Sequence, residues 1–167
     1  MNSNPACGYA ICEIRTQPIC INQAIEAVRD VSHGAIDTFL GVVRNHHQGK
    51  AVTGITYDVH STLAVKVLDT ICSEANSLWP GTRYYVAHYH GKLAVGGISV
   101  VIAVGSAHRA ASFEACRYVI EAIKKRAPIW KQEHYPDGKS EWLPGHSLLT
   151  ETTINTDDCN DLTTSGS

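Results

Sequence analysis

The chain has 167 residues, with 14 Lys and Arg against 16 Asp and Glu for a formal net charge of -2. That length suits one domain that buries its own core without metals or disulfides, and the near-neutral balance excludes a surface built throughout to neutralise nucleic-acid phosphates. The six cysteines, Cys7, Cys12, Cys20, Cys72, Cys116 and Cys159, form no C-x-x-C pair or zinc-finger spacing and read as free thiols. There is no apolar run near the ~20 residues of a membrane helix and no basic-then-apolar leader, so a cytoplasmic protein without membrane attachment is expected.

Residues 1–8 are expected to be a flexible N-terminus. Tyr9 to Arg15 alternates as a strand does, and after Pro18 the residues Ile21, Ala24, Ile25, Val28 and Val31 keep helical spacing. Strands follow at Ala35 to Val43 and Val52 to Val59, with a polar loop, Asn45 to Lys50, between them. Ser61 or Thr62 can cap a helix with the stripe Ala64, Val67, Leu68, Ile71, Ala75 and Leu78, which Pro80-Gly81 ends. Strands Arg83 to His90 and Ile98 to Val104 flank a turn-rich Gly91 to Gly97 stretch. A third helix runs from about His108 to Arg126, where Ala127-Pro128 stops it. Ile129 to Tyr135 and Glu141 to Leu143 form a closing hairpin around Pro136-Asp137-Gly138. The domain spans 9–149, and the Thr-, Asn-, Asp-, Ser- and Gly-rich segment 150–167 has too few apolar residues to offset the entropy of ordering it. Helices set among adjacent strand pairs give an α+β domain with three helices and a mixed, largely antiparallel sheet.

The residues that can carry chemistry are mostly basic and stand at element ends. Arg44 closes a strand, where pattern alone makes it a solvated charge. Ser106-Ala107-His108-Arg109 lies where a strand passes into a helix, so free N–H groups, an imidazole and a guanidinium make either an anion site or an ordinary helix start. Lys124, Lys125, Arg126 and Lys131 bring four cations to a helix end and the strand after it. The helix dipole accounts for Lys125 and Arg126. Lys124 falls near the side of Phe113, Cys116, Ile120 and Ile123, where an apolar setting would lower its pKa. Lys131 alternates with Ile129 and Glu133 on one strand face, opposite Trp130. His88 and His90 share a strand face, but no third ligand stands at a linked spacing, so no metal is expected. There is no G-x-S-x-G elbow or phosphate-binding Gly loop, and Cys116 is expected to be buried mid-helix.

Three motifs in order, Gly34-Ala35-Ile36-Asp37-Thr38-Phe39-Leu40-Gly41-Val42-Val43-Arg44-Asn45-His46, then Ser106-Ala107-His108-Arg109, then Lys124-Lys125-Arg126-Ala127-Pro128-Ile129-Trp130-Lys131-Gln132-Glu133, resemble the MoaE family of molybdopterin synthase catalytic subunits. The resemblance covers about residues 9–146, including Tyr57-Asp58 and the His88 to Gly96 stretch. It implies an α/β hammerhead-like fold and a homodimer that binds a small ubiquitin-like sulfur carrier at each end, forming a heterotetramer. The carrier's Gly-Gly tail would end in a thiocarboxylate and convert cyclic pyranopterin monophosphate to a dithiolene without a bound cofactor. It further implies that Lys124 and Lys131 are the two essential lysines and that Arg44, His108 and Arg109 bind anions. Phe39, Val42, Val43, Gln132 and Glu133 would line the pocket. Tyr89 stands where many members carry Arg, and His146 stands near where some place a further Arg, which leaves one phosphate contact unassigned.

Two other readings compete with an enzyme of this kind. One is a module that docks a ubiquitin-like tail without catalysis, which would need no Lys124–Lys131 pair; the other is a metal hydrolase using His88 and His90. Helix geometry adds an expectation of its own. His108 and Lys124 are 16 positions apart, roughly 24 Å along a continuous helix, so both can serve one small substrate only if a second chain contributes one of them.

Overall fold

The computed structural model describes residues 9–144. Segments 1–8 and 150–167, Cys7, Cys159 and His146 therefore lie outside the described residues. In chain order the elements are β1 (Tyr9–Arg15), α1 (Ile21–Val28), β2 (Ala35–Val42), β3 (His46–His47), β4 (Lys50–Ala51), β5 (Gly54–Val59), α2 (Ser61–Leu78), β6 (Arg83–Tyr89), β7 (Gly91–Ala94), β8 (Ile98–Ser106), α3 (Arg109–Arg126), β9 (Ile129–His134) and β10 (Ser140–Trp142).

One sheet has the order β1-β6-β8-β2, parallel between β1 and β6 and antiparallel elsewhere. Its central strands explain their long apolar runs, because both faces are covered. On β6 and β8, Tyr84, Val86, Val100, Ile102 and Val104 face a core shared with α2 and α3. The alternate residues Tyr85, Ala87, Val101 and Ala103 pack with Ala24 and Val28 of α1. The period of two thus divides a single run between two cores, giving an α+β domain with three helices. A second sheet, β10-β9-β5-β7, is antiparallel throughout and carries a small core of Val43, Val52 and Ile55.

Local chemistry moved several expected boundaries. α1 stops at Val28, and Val31 is fully exposed instead of continuing the stripe. His60, rather than Ser61 or Thr62, caps α2, its Nδ1 accepting from the Leu63 N–H at 3.3 Å. Leu78, at the last turn of α2, is exposed. The polar loop at Asn45 to Lys50 is instead the tight hairpin β3–β4, with Gln48 at φ 48° and Gly49 at φ 76° supplying the two left-handed residues that such a turn requires. The turn-rich Gly91 to Gly97 stretch contains β7, which pairs with β5.

Gly105 on β8 shows how closely α1 approaches this sheet. A Cβ there would overlap the Val28 carbonyl oxygen and stand 2.7 Å from Nδ1 of His33. Gly105→Ala is therefore expected to destabilise the fold by about 3 kcal/mol, read as a lower urea midpoint at unchanged m value. A midpoint equal to wild type would show that α1 can retreat freely.

Candidate functional site

The site lies where α3 ends and the second sheet begins. β2 and β8 are antiparallel with Ala35 opposite Ser106 and Val42 opposite Ile98, while α3 runs back from the Ser106 end. Arg44, just past β2, is thereby carried to the same end of the domain as Lys124. β9 then places Lys131 on the strand leading away from that corner.

Lys131 is half-buried, and this setting gives it unusual acid-base chemistry. Loss of water around the ammonium lowers its pKa from the usual lysine value, and the nearby charges of Arg44 and Lys124 lower it further, against an opposing pull from Glu133. Lys131 of β9 thus feels two cations, Arg44 from just past β2 and Lys124 from α3, and one anion, Glu133. The lysine with the desolvated setting is Lys131, not Lys124, which is exposed beside the buried Cys116, Ile120 and Ile123, while Phe113 is itself turned to solvent. The α-helical stripe closes against the core one position before Lys124, which leaves its stem outside.

Arg126 is committed elsewhere. Its guanidinium grips Glu74 of α2 at 2.5 and 3.0 Å, with the Tyr118 hydroxyl donating to the same carboxylate at 2.9 Å. This joins α2 to α3 and fixes the helix end on which Lys124 stands.

A cavity of about 350 Å³ opens beside Lys131, and its polar lining includes His47, Gln48, Lys50, Glu133, Tyr135 and Glu141. Glu133 is buried and Gln132 donates to Ser140 at 3.0 Å. Val43 is buried in the small core, Val42 is exposed on the edge strand β2, and Phe39 packs against the main core. Nothing in the sequence marks His47, Lys50, Tyr135 and Glu141 as members of a site. A Gln48-Gly49 turn could have signalled the hairpin, but its approach to β9 spans 86 positions and follows only from the fold.

His108 and Arg109 are exposed at the opposite end of α3, which is unbroken over 18 residues. Ser106 ties the turn by accepting from the His108 N–H at 3.2 Å and donating to its carbonyl at 2.9 Å. His108 itself makes no side-chain cap. Within one chain His108 and Lys124, 16 positions apart on this helix, stand roughly 24 Å apart along its axis.

His88 is buried, its Nδ1 sits 2.8 Å from the Tyr89 carbonyl, and Tyr57 meets it edge-on. Burial depresses its pKa to about 4, which fits a neutral ring held in a core. His90 lies beyond β6, with Nε2 3.7 Å from Asp58. Among the described residues no group of three His, Cys, Asp or Glu side chains is placed to hold a metal ion. Cys116 is buried mid-helix, and Cys12, Cys20, Cys72 and Cys116 are all free thiols.

The MoaE protein family model matches residues 14–126. The molybdopterin synthase catalytic subunit of Synechococcus elongatus is 46% identical over 140 residues, 83% of this chain and 85% of that protein. The chain belongs to the MoaE family. It is accordingly a molybdopterin synthase catalytic subunit, an enzyme of molybdenum cofactor biosynthesis. The MoaE fold is equally plain in the comparison with molybdopterin synthase from Staphylococcus aureus, at TM-score 0.76 and 37% identity over 79% of this chain and 96% of that one. A Helicobacter pylori structure, a complex of subunits 1 and 2 of molybdopterin-converting factor, aligns at TM-score 0.57 and 25% identity over 66% of this chain and 72% of that one. The MoaE family match ends at Arg126, whereas Lys131 and the cavity lie in the following strand. Among the described residues, no helix is long and apolar enough to cross a membrane.

Proposed function

We propose that this chain transfers sulfur from the thiocarboxylated Gly-Gly tail of a small ubiquitin-like carrier to cyclic pyranopterin monophosphate, and that it does so as a cytoplasmic homodimer carrying one carrier at each end. The observation that carries this reading is the half-buried Lys131 at a cavity, with its pKa lowered and the cations Arg44 and Lys124 around it. The precursor is a cyclic phosphate and the donor an anionic thiocarboxylate, so a site for both must hold negative charge before and during attack. Arg44 and Lys124 supply that charge at the rim, and His108 and Arg109 of the partner subunit complete it.

Lys131, with its proton loosely held, can give and take protons as the precursor ring opens and water leaves. Lys124 stands beside it to stabilise the carboxylate left on the carrier. One sulfur comes from each of two carriers, which accounts for the two sulfurs of the dithiolene. Phe39, Val42, Val43, Gln132 and Glu133 shape the approach to these groups. The carrier reading draws support from the Helicobacter pylori pair, in which a protein similar to this one is complexed with a second subunit. The free thiols of the described residues fit a reducing compartment.

Incubating purified chain with precursor and thiocarboxylated carrier is expected to yield molybdopterin, with about two carriers consumed per pterin. Tail docking without product would favour a binding module instead.

A further inference from the structure

The hairpin β3–β4 presents a basic rung to an acidic one. His47 and Lys50 are cross-strand partners in the hairpin, while Glu133 and Glu141 are cross-strand partners between β9 and β10. Two carboxylates directly opposite each other repel, and each is met by one member of the basic rung. Lys50 Nζ lies 3.5 Å from Glu141, and His47 Nδ1 lies 3.0 Å from one oxygen of Glu133 and 3.1 Å from the other. The Tyr135 hydroxyl shares its proton between them, 3.3 Å from Glu133 and 3.2 Å from Glu141. Loss of water around the hydroxyl, reinforced by the charges of Glu141 and Glu133, pushes its own pKa up to about 12.

Because a carboxylate only accepts, Nδ1 of His47 carries the proton and donates it to Glu133. Glu133 is 4% exposed, so solvent does little to screen what it touches. Lys131, two residues earlier on the same face of β9, lines the same cavity. Arg44 from the end of β2 and Lys124 from α3 push the Lys131 proton off, and Glu133 holds it on. Across β5, Lys131 faces Tyr57 and Glu133 faces Ile55, neither of which adds a charge near neutral pH.

We propose that His47 is a positioning residue for the known reaction: by holding the Glu133 carboxylate through its Nδ1–H, it limits how much of that negative charge reaches Lys131, and so sets the pH at which Lys131 releases its proton. The link to catalysis rests on the reading of Lys131 as the proton-transferring lysine, but the link to its titration does not. His47 is 26% exposed, so truncating it opens no core cavity.

The test is a titration of Lys131 in the full chain followed by ¹³Cε lysine NMR, with its signal assigned by loss in Lys131→Ala. In His47→Ala the midpoint is expected to rise by about one pH unit as Glu133 turns its full charge on Lys131. His47→Asn, whose amide N–H can stand where Nδ1 does, is expected to restore the wild-type midpoint. The kcat–pH profile should move in the same sense. An unmoved or lowered midpoint in His47→Ala, or His47→Asn behaving like His47→Ala, would overturn the proposal. A shifted midpoint with an unshifted rate profile would support the hold of His47 on Lys131 while counting against a role for Lys131 in the chemistry.

Discussion

Lys131→Ala is expected to cut molybdopterin formation by about a thousandfold, within the range for loss of a positioned acid or base, while the urea midpoint stays at the wild-type value. The side chain borders a cavity and belongs to no core cluster, so removing it costs little packing. What disappears is an amine held half out of water, on which Glu133 pulls one way and the cations Arg44 and Lys124 the other. Lys131→Arg separates charge from proton transfer, because a guanidinium keeps the positive charge but gives up no proton in a protein. It is expected to bind precursor yet remain nearly as slow as Lys131→Ala. Near-normal turnover in either variant would remove Lys131 from the chemistry. Lys124→Ala is also expected to lose most turnover, through the charge it holds at the rim.

Much of the fold could be read from residue periodicity. The stripe of α2 and the stop at Ala127-Pro128 mark helices because burial of one face repeats every three to four residues and proline forbids continuation. β6 and β8 were equally legible as strands, yet their runs alone could not show that the two faces serve different cores. The hairpin at His46 to Ala51 is not legible in the sequence, because two strands of two residues each leave no periodicity. The cation cluster was half visible. Arg44, Lys124 and Lys131 could each be named, but their approach depends on β2 and α3 both ending at one corner, which is a property of topology. Sequence favoured Lys124 as the desolvated lysine because helical spacing put it beside Ile120 and Ile123, whereas the side chain stands just outside the buried stripe. His47 carried no signal, since its partner Glu133 is 86 positions away.

The second large effect concerns how many chains build one site. α3 is continuous from Arg109 to Arg126, so His108 and Arg109 cannot reach a substrate held at Lys124 and Lys131 of the same chain across roughly 24 Å. A two-fold dimer resolves this, because it can bring the start of α3 in one subunit to the end of α3 in the other, and it does so twice. Consider one chain carrying Lys131→Ala and another carrying His108→Ala with Arg109→Ala, each expected to be inactive as a homodimer. In a mixed dimer one site collects every substitution, and the other collects none. Equal mixing makes half of all dimers mixed, each with one intact site of two, so activity should return to about a quarter of the wild-type level. The decisive measurement is molybdopterin formation after the two inactive chains are mixed under conditions in which differently tagged subunits are shown to exchange. Recovery to about a quarter of wild type is predicted; confirmed exchange with no recovery would contradict a shared site and place all of its working residues within one chain.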